Sequence, residues 1–400
     1  MAEPNLKMST VDYIVVALFM LVTLVIGLFA SWKSSKSMTS KDMVIHKGMS
    51  LPSVVLSLTA TFLSAILLVG TPAEVYAYGI EWLVVCLGYI LALPIAVFTA
   101  VQTLYPLEIS SIFEYFQLRF GGRSVRSMAA FLYAAVMMFY SGTALYAPII
   151  AIASITDVPE WAGILIAGSI CTLYTAVGGV RAVIWVDSFQ FLVMLGSAVA
   201  LAGFGSSLVG GVHQVIQISK KFHRTNLFEA VALNVPSMIM LTALACYCGL
   251  VVFANYAYCD PLLVDPSRKT DQIVPLFLVD KMRGFIGLPG LFIAGIFSGA
   301  LSSVSSALNA LAGIAWEDGL KLTVWGKKAD ESQKLVAIRL LGITFGIWAI
   351  FLAFICSVIG STLLEINVTL NTTLCTPLIM MFFSSQFMPF VNKPVSSFSK

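Results

Sequence analysis

Repeated apolar runs of spanning length are the feature that most limits what this chain can fold into. Ten segments can be drawn, at about 11–31, 51–74, 81–102, 128–154, 161–178, 183–208, 230–257, 287–312, 335–360 and 366–391. About 20 helical residues cross a hydrocarbon core about 30 Å thick while satisfying their own backbone hydrogen bonds. The pattern therefore predicts an all-α polytopic membrane protein with residues 1–400 in a single membrane domain.

Composition supports this prediction and excludes the main soluble classes. The residues are 59% hydrophobic and 11% charged, with a mean hydropathy of +0.93. Such a chain has too little polar surface for soluble domains, which excludes soluble enzymes and proteins that bind nucleic acid. An intramembrane enzyme would need paired acids, histidines or a metal cluster at depth, and only Asp187 lies there. The seven cysteines have no metal-ligand spacing.

Three of the apolar segments contain polar, Gly or Pro residues that an ordinary spanning helix avoids. They lie at 57–72, 298–309 and 367–377. A broken or polar helix is tolerated in a bilayer only where protein buries it or where it lines a wet cavity. These interruptions therefore indicate transport.

The placement of Lys and Arg predicts an orientation. If the segments alternate, the loops at 32–50, 103–127 and 179–182 share one side and hold eight basic residues, whereas the other side holds only Lys7. The positive-inside rule then puts the 32–50 loop in the cytoplasm and the N-terminus outside. Simple alternation also puts the basic 313–334 loop outside, so the bias reverses in the second half. One spanning segment missing near 209–229 would restore it.

Six motifs, in order along the chain, resemble a known family. They are LSLTATFLSAILLVGTPAEVYAYG, SSIFEYFQLRF, YSGTALYAP, YTAVGGVRAVIWVDSFQ, CDPLL and GLFIAGIFSGALSSVSSALNALAGIAWED. The resemblance is to the sodium/solute symporter family, in the branch that carries vitamins, monocarboxylates or iodide. It implies an inverted-repeat sodium-symporter (LeuT-like) fold that works by alternating access. The leading helix would be 11–31, the first five-helix repeat 51–208 and the second repeat 230–391.

The chain departs from the family pattern after KKFHRTNLFEA. Family members continue there with the broken first helix of the second repeat, whereas this chain passes directly into VALNVPSMIMLTALACYCGL. The resemblance therefore implies that one core helix is missing, together with the C-terminal helices. An inverted-repeat transporter holds its substrate between the two broken helices, so this loss would remove part of the cavity wall.

The resemblance implies a sodium site, with Na+ as the coupling ion. Its ligands would be the carbonyls of Ala60, Leu63 and Gly299 and the hydroxyls of Ser302 and Ser303. Sodium is a hard cation that prefers oxygen ligands, and neutral oxygens release it readily. The alternative is that these serines only bond their own helix backbone or allow close packing.

Asp187 is the one carboxylate well inside a predicted span. An ionisable residue at depth is costly, which makes it a functional hypothesis. The resemblance places it behind the sodium site, where its charge acts on the ion without direct contact. The alternative is a hydrated aspartate near the cytosol, paired with Arg181.

The resemblance places Ser64, Leu67 and Tyr140 at the substrate cavity or a second ion position. The iodide transporter has an amide side chain where this chain has Leu67, and an alkyl group cannot ligate an ion. Iodide is therefore disfavoured, and a small organic anion with an apolar body is expected.

Two functions remain open from the sequence. The first is sodium-coupled symport of a small organic anion, of the vitamin or monocarboxylate type, across the plasma membrane. The second is a transport-inactive truncated variant, or an incomplete gene model, that pairs with or interferes with a full-length relative. The second predicts no sodium-driven uptake by the chain alone. The predicted partners are a small organic anion, sodium and the lipid bilayer.

Overall fold

The structure is a computed structural model. It describes residues 8–34, 51–62, 64–96, 99, 104–107, 109, 111–222, 237–258, 260–264, 270–282, 284–358 and 363–388. Every regular element in those ranges is helical. The α-helices are α1 Thr10–Ser34, α2 Leu51–Phe62, α3 Ala65–Tyr78, α4 Val85–Ala96, α5 Ile112–Phe120, α6 Arg123–Ala153, α7 Glu160–Val180, α8 Ala182–Leu208, α9 Val212–Lys221, α10 Ser237–Tyr256, α11 Pro261–Val264, α12 Ile273–Lys281, α13 Leu288–Ile314, α14 Val324–Lys328, α15 Glu331–Val358 and α16 Leu363–Phe387.

The predicted apolar segments correspond to these helices, with three differences. The segment 51–74 is two helices, α2 and α3, whereas α13 and α16 are continuous despite their polar residues. Helix α6 begins at Arg123, five residues before the predicted segment. Among the described residues, seven helices are long and apolar enough to cross a membrane. The prediction of an all-helical membrane protein is confirmed.

Helix α13 is the centre of the bundle, and nearly all of its side chains are buried. It packs against α1, α6, α7 and α8. Helix α1, at the periphery of the bundle, exposes a stripe of large apolar side chains spaced three or four residues apart: Ile14, Leu18, Leu21 and Val25. Such a stripe is typical of a helix face that contacts lipid.

The first turn of α1 caps the N-terminus of α13. The backbone N–H of Gly290 donates to Oδ1 of Asp12 at 3.0 Å, and the Asp12 side chain is buried. A Cβ on Gly290 would lie only 2.6 Å from the Asp12 carbonyl oxygen. The close approach therefore requires glycine, and it fixes α1 against the start of α13.

Two side-chain contacts define the ends of the bundle. Arg126, in the first turn of α6, pairs with Asp318 just after α13, which defines the inner end. Tyr76 of α3 bonds Asp260, which follows α10, and this defines the outer end. The inner end carries Arg119, Arg123, Arg126, Lys321, Lys327, Lys328 and Lys334, and the outer end carries Lys220, Lys221 and Lys281. By the positive-inside rule, the inner end is predicted to be cytoplasmic.

These contacts decide between the two predicted chain parities. The Arg126–Asp318 pair places the 103–127 and 313–334 loops at the same end. Simple alternation of ten spans would put the 313–334 loop at the opposite end, so this contact agrees with the predicted change of parity. The change falls between the short helix α9 and α10. The first helix of the second repeat, predicted to be missing at about residue 230, concerns positions that lie outside the described residues.

Candidate functional site

The break between α2 and α3 creates free backbone groups in the middle of the bundle. Ser64 is extended, with φ −75° and ψ 169°, and α3 begins at the next residue. Pro72 lies inside α3, so the break is not caused by proline. The last carbonyls of α2, including that of buried Ala60, therefore lack the following helical turn whose N–H groups would donate hydrogen bonds to them. Leu63, predicted as a ligand, lies outside the described residues.

Gly299 brings α13 directly against this break. A Cβ at Gly299 would lie 2.7 Å from the backbone nitrogen of Ala65 and 3.0 Å from the carbonyl carbon of Ser64. Backbone atoms cannot move aside as a flexible side chain can, so any side chain here would push the helices apart. The glycine thus allows polar groups of α13 to reach the gap between α2 and α3.

The two predicted hydroxyl ligands are buried, and only one of them has a hydrogen-bond partner among the described residues. Ser303 Oγ donates to the carbonyl of Thr61 in the last turn of α2, at 3.1 Å. Ser302 Oγ is fully buried and has no hydrogen-bond partner among the described residues. Adjacent helical positions point about 100° apart, which explains the difference. Neither serine bonds its own helix backbone in the part of the chain that the structure describes, whereas close packing remains an alternative to an ion site.

Asp187 lies behind these serines and is 0% exposed. Ser57 of α2 donates its hydroxyl to Oδ2 at 2.6 Å. Oδ1 has no hydrogen-bond partner among the described residues, although the Ser302 side chain is close enough to act on the carboxylate. A hydrated aspartate near the cytosol does not match this burial. The carboxylate and the Ser302 hydroxyl are instead buried groups that a cation could satisfy.

Gln190 is a residue of this region that the sequence reasoning missed. It follows Asp187 by one helical turn, is buried, and has no hydrogen-bond partner for either amide atom among the described residues. Ser298 precedes Ser302 by one turn of α13, and its buried hydroxyl is also unpartnered there. The spacing from Asp187 and Ser302 is a signal that could have identified both residues.

The predicted substrate residues are partly brought together. The Tyr140 side chain, on α6, lies close to the side chains of Ser64 and Ser303. Ser64 and Tyr140 therefore lie beside the predicted ion ligands. Leu67, half-buried one turn into α3, packs against the apolar core.

A cavity of about 450 Å³ leads from this region to the inner end. Ser57 and Thr61 line it at the helix break, Asn309 along α13, and Glu317 and Asp318 at its inner end. The Thr61 and Ser306 hydroxyls, 2.9 Å apart, join α2 to α13 within its wall. The cavity supplies oxygen ligands along a path that an ion could follow.

A buried ion pair lies at the inner end of the cavity. Arg126 Nε donates to Asp318 Oδ1 at 2.6 Å, and Ser111 donates its hydroxyl to Oδ2 at 2.6 Å. Arg126 also donates to the Glu317 carbonyl at 3.2 Å and to Gln117 Oε1 at 3.1 Å. The network ties α5 and α6 to the residues that follow α13.

Comparisons with known proteins support the family resemblance that the sequence motifs indicate. The family model described as "Sodium:solute symporter family" matches residues 43–230. The Homo sapiens sodium/iodide cotransporter is 31% identical over 433 aligned positions, which cover 96% of this chain and 67% of that protein. The sodium-dependent multivitamin transporter of Oryctolagus cuniculus is 31% identical over 434 positions, covering 96% and 68%. The Homo sapiens sodium-coupled monocarboxylate transporter 2 is 29% identical, covering 95% and 69%.

The alignments also contain unmatched positions. With the human sodium/iodide cotransporter, 433 aligned positions cover about 384 residues of this chain (96% of 400), so about 49 positions have no counterpart here.

A solved structure shares the fold. It is described as "Substrate-bound outward-open state of a Na+-coupled sialic acid symporter reveals a novel Na+-site", with a TM-score of 0.77 at 21% identity. The match covers 95% of this chain and 87% of that one. It confirms the predicted all-helical, LeuT-like sodium-symporter fold. With the multivitamin and iodide relatives matched over two thirds of their length, the chain belongs to the sodium:solute symporter family.

Proposed function

We propose that this chain couples sodium to the symport of a small organic anion, of the vitamin or monocarboxylate type, across the plasma membrane by alternating access. The observation that carries the proposal is the contact of the α2–α3 break with Gly299, beside the buried Ser302 hydroxyl. Among the described residues, the Ser302 hydroxyl and Asp187 Oδ1 lack hydrogen-bond partners, and buried polar groups of this kind favour a bound cation.

The proposed sodium ligands are the carbonyls of Ala60, Leu63 and Gly299 with the hydroxyls of Ser302 and Ser303. Ser303 now donates to the Thr61 carbonyl. Binding of sodium by its oxygen would change the contact that joins α2 to α13. The ion would therefore alter the balance between conformations by its different contacts in each.

The substrate class is proposed from residues that lie beside the predicted ion ligands. Ser64 and Tyr140 supply hydroxyl donors for an anionic group. Leu67 supplies an alkyl surface for an apolar body and no ion ligand. Relatives named for vitamins and monocarboxylates support this reading over iodide.

Asp187→Asn is expected to weaken sodium binding about tenfold or more. The substitution keeps the size and hydrogen-bonding capacity of the side chain but removes a charge that acts on a nearby cation in a medium of low dielectric. The measurement is the sodium dependence of the melting temperature of purified chain, at constant ionic strength with choline as the replacement cation. Asp280→Asn at the outer end is the matched control. An unchanged sodium dependence would remove Asp187 from the site.

A specific observation favours the transport-inactive alternative. The Phe222 ring, just after α9, packs edge-on against the rings of Phe253 and Tyr258, with centroid separations of 5.8 Å and 5.7 Å. Phe222 therefore lies at the outer end of α10. Helix α10 starts at Ser237, and its 20 residues span about 30 Å. The 14 positions 223–236 join Phe222, at the outer end of α10, to Ser237, where α10 starts at its other end. Fourteen positions are fewer than the about 20 that a complete spanning helix needs.

Uptake into proteoliposomes distinguishes the two functions. Under an inward sodium gradient, biotin, pantothenate, lactate, butyrate and iodide are tested with the chain as written. They are tested again after insertion, between Glu229 and Val231, of the segment that the multivitamin relative carries there. Symport by the chain as written predicts sodium-dependent uptake of an organic anion and not of iodide. The alternative predicts uptake only after insertion, with sodium-dependent melting already present beforehand. Sequencing the transcript for an exon at this position tests the gene model directly.

A further inference from the structure

A short helical hairpin joins the inner ends of α13 and α15. We define the inner hairpin as residues 320–328, which comprise the 3-10 helix Leu320–Leu322, Thr323 and α14. The apolar span that contains α13 ends at Leu322, and α15 begins at Glu331. The inner hairpin therefore lies between two spanning helices, at the level where the membrane meets water.

Local contacts hold the inner hairpin in one conformation. Thr323 caps α14 by accepting a hydrogen bond from the N–H of Gly326 at 3.1 Å. A Cβ on Gly326 would lie 2.7 Å from the carbonyl carbon of Leu320, so the turn closes only with glycine. The Trp325 ring stands edge-on to buried Trp316, with centroids 6.3 Å apart. The hairpin thus presents a fixed surface to its surroundings.

That surface combines exposed apolar and basic side chains. Val324 is 75% exposed and Trp325 is 49% exposed. Lys327 and Lys328 follow within one turn, and both are exposed. In the part of the chain that the structure describes, neither lysine has an ion-pair partner. The neighbouring basic residues differ, because Lys321 pairs with Glu317 and Lys334 with Glu331.

We propose that the inner hairpin binds anionic phospholipid headgroups of the cytoplasmic leaflet. Tryptophan favours the membrane interface, where its apolar ring lies among the headgroups and upper acyl chains. Lysines beside it are attracted by the negative surface potential of that leaflet. The two unpaired lysines supply the complementary charge, and Val324 and Trp325 supply the apolar contact. The alternative occupant of this surface is a soluble protein partner, which would bind it without lipid. The experiment described next distinguishes the two.

The test uses the full chain in liposomes of phosphatidylcholine with phosphatidylserine. Trp325 emission is isolated as the difference between the chain and Trp325→Phe, and it is quenched with brominated phosphatidylserine or brominated phosphatidylcholine at equal mole fraction. We expect stronger quenching by the brominated anionic lipid. Lys327→Gln with Lys328→Gln should remove this preference. Each lysine is expected to strengthen the association of the hairpin with anionic lipid about fivefold, which gives about 25-fold for the pair. Lys220→Gln with Lys221→Gln, an adjacent pair at the outer end, is the control.

Both leaflets carry the same lipids, so the orientation of the chain does not affect the result. Equal quenching by the two brominated lipids, or an anionic preference that survives the Lys327/Lys328 change, would overturn the proposal. Quenching of Trp325 by neither lipid would overturn it as well and would favour a soluble partner. The readout involves neither sodium nor uptake, so its failure is distinct from failure of the proposed function.

Discussion

The double substitution Ser302→Ala with Ser303→Ala is expected to raise the sodium concentration for half-maximal effect by about 100-fold or more. Each change removes one oxygen from the proposed ion site while alanine preserves the helix. A hydrogen-bond-type contact to a charged group contributes about 1.5–3 kcal/mol, and about 1.4 kcal/mol corresponds to tenfold in an equilibrium constant. The measurement is sodium-dependent melting of the purified chain, which requires no transport.

The control for this experiment is a pair of serines that bond their own helix. Ser188 donates to the Ile184 carbonyl at 2.8 Å, and Ser357 donates to the Phe354 carbonyl at 2.8 Å. Ser188→Ala with Ser357→Ala should leave the sodium dependence unchanged. If the Ser302/Ser303 variant also keeps the parent's sodium dependence, the ion assignment is wrong.

Arg126→Ala is expected to destabilise the folded chain by about 3–5 kcal/mol. The side chains of Arg126 and Asp318 are only 7% and 1% exposed, so removal of the arginine leaves a buried carboxylate without its counter-charge. Thermal unfolding in detergent measures the effect. Replacing both partners, as Arg126→Met with Asp318→Leu, should recover much of the loss because no unpaired charge remains.

An exposed ion pair provides the comparison for Arg126. Lys334 and Glu331 lie 2.9 Å apart with side chains 29% and 58% exposed. Lys334→Ala should cost less than about 1 kcal/mol, because solvent screens such pairs. If Arg126→Ala costs no more than Lys334→Ala, the buried network does not stabilise the inner end.

The helices were predictable because apolar runs are a local signal. Even the reversal between α7 and α8 was anticipated as two segments, and Gly179, with φ 58°, allows it. The position of the α2–α3 break was not. The sequence limited it only to 57–72, and neither Phe62 nor Ser64 is a proline or glycine. At the break the chain packs against Gly299, from a helix more than 200 positions away, and no local pattern records such a contact.

The site was predictable only in part, for a similar reason. Ser302 and Ser303 were identified from the family resemblance, whereas Asp187 was identified from its depth in a predicted span. That Ser303 bonds the Thr61 carbonyl, and that Gln190 is buried without a partner among the described residues, are consequences of packing. Periodicity alone gives the face on which such residues lie but does not show which groups remain unsatisfied.

The cap that Asp12 places on α13 has a consequence for biosynthesis. Asp12 and Gly290 are separated by 278 positions, so α1 leaves the ribosome long before its partner exists. Until α13 has been made, Ser9 supplies the only one of the two N–H donors that is available to the Asp12 carboxylate. During this interval α1 lies in the bilayer without its partner helix. Its docking is therefore a late event in assembly, completed only when α13 has been inserted with its N-terminus on the same side.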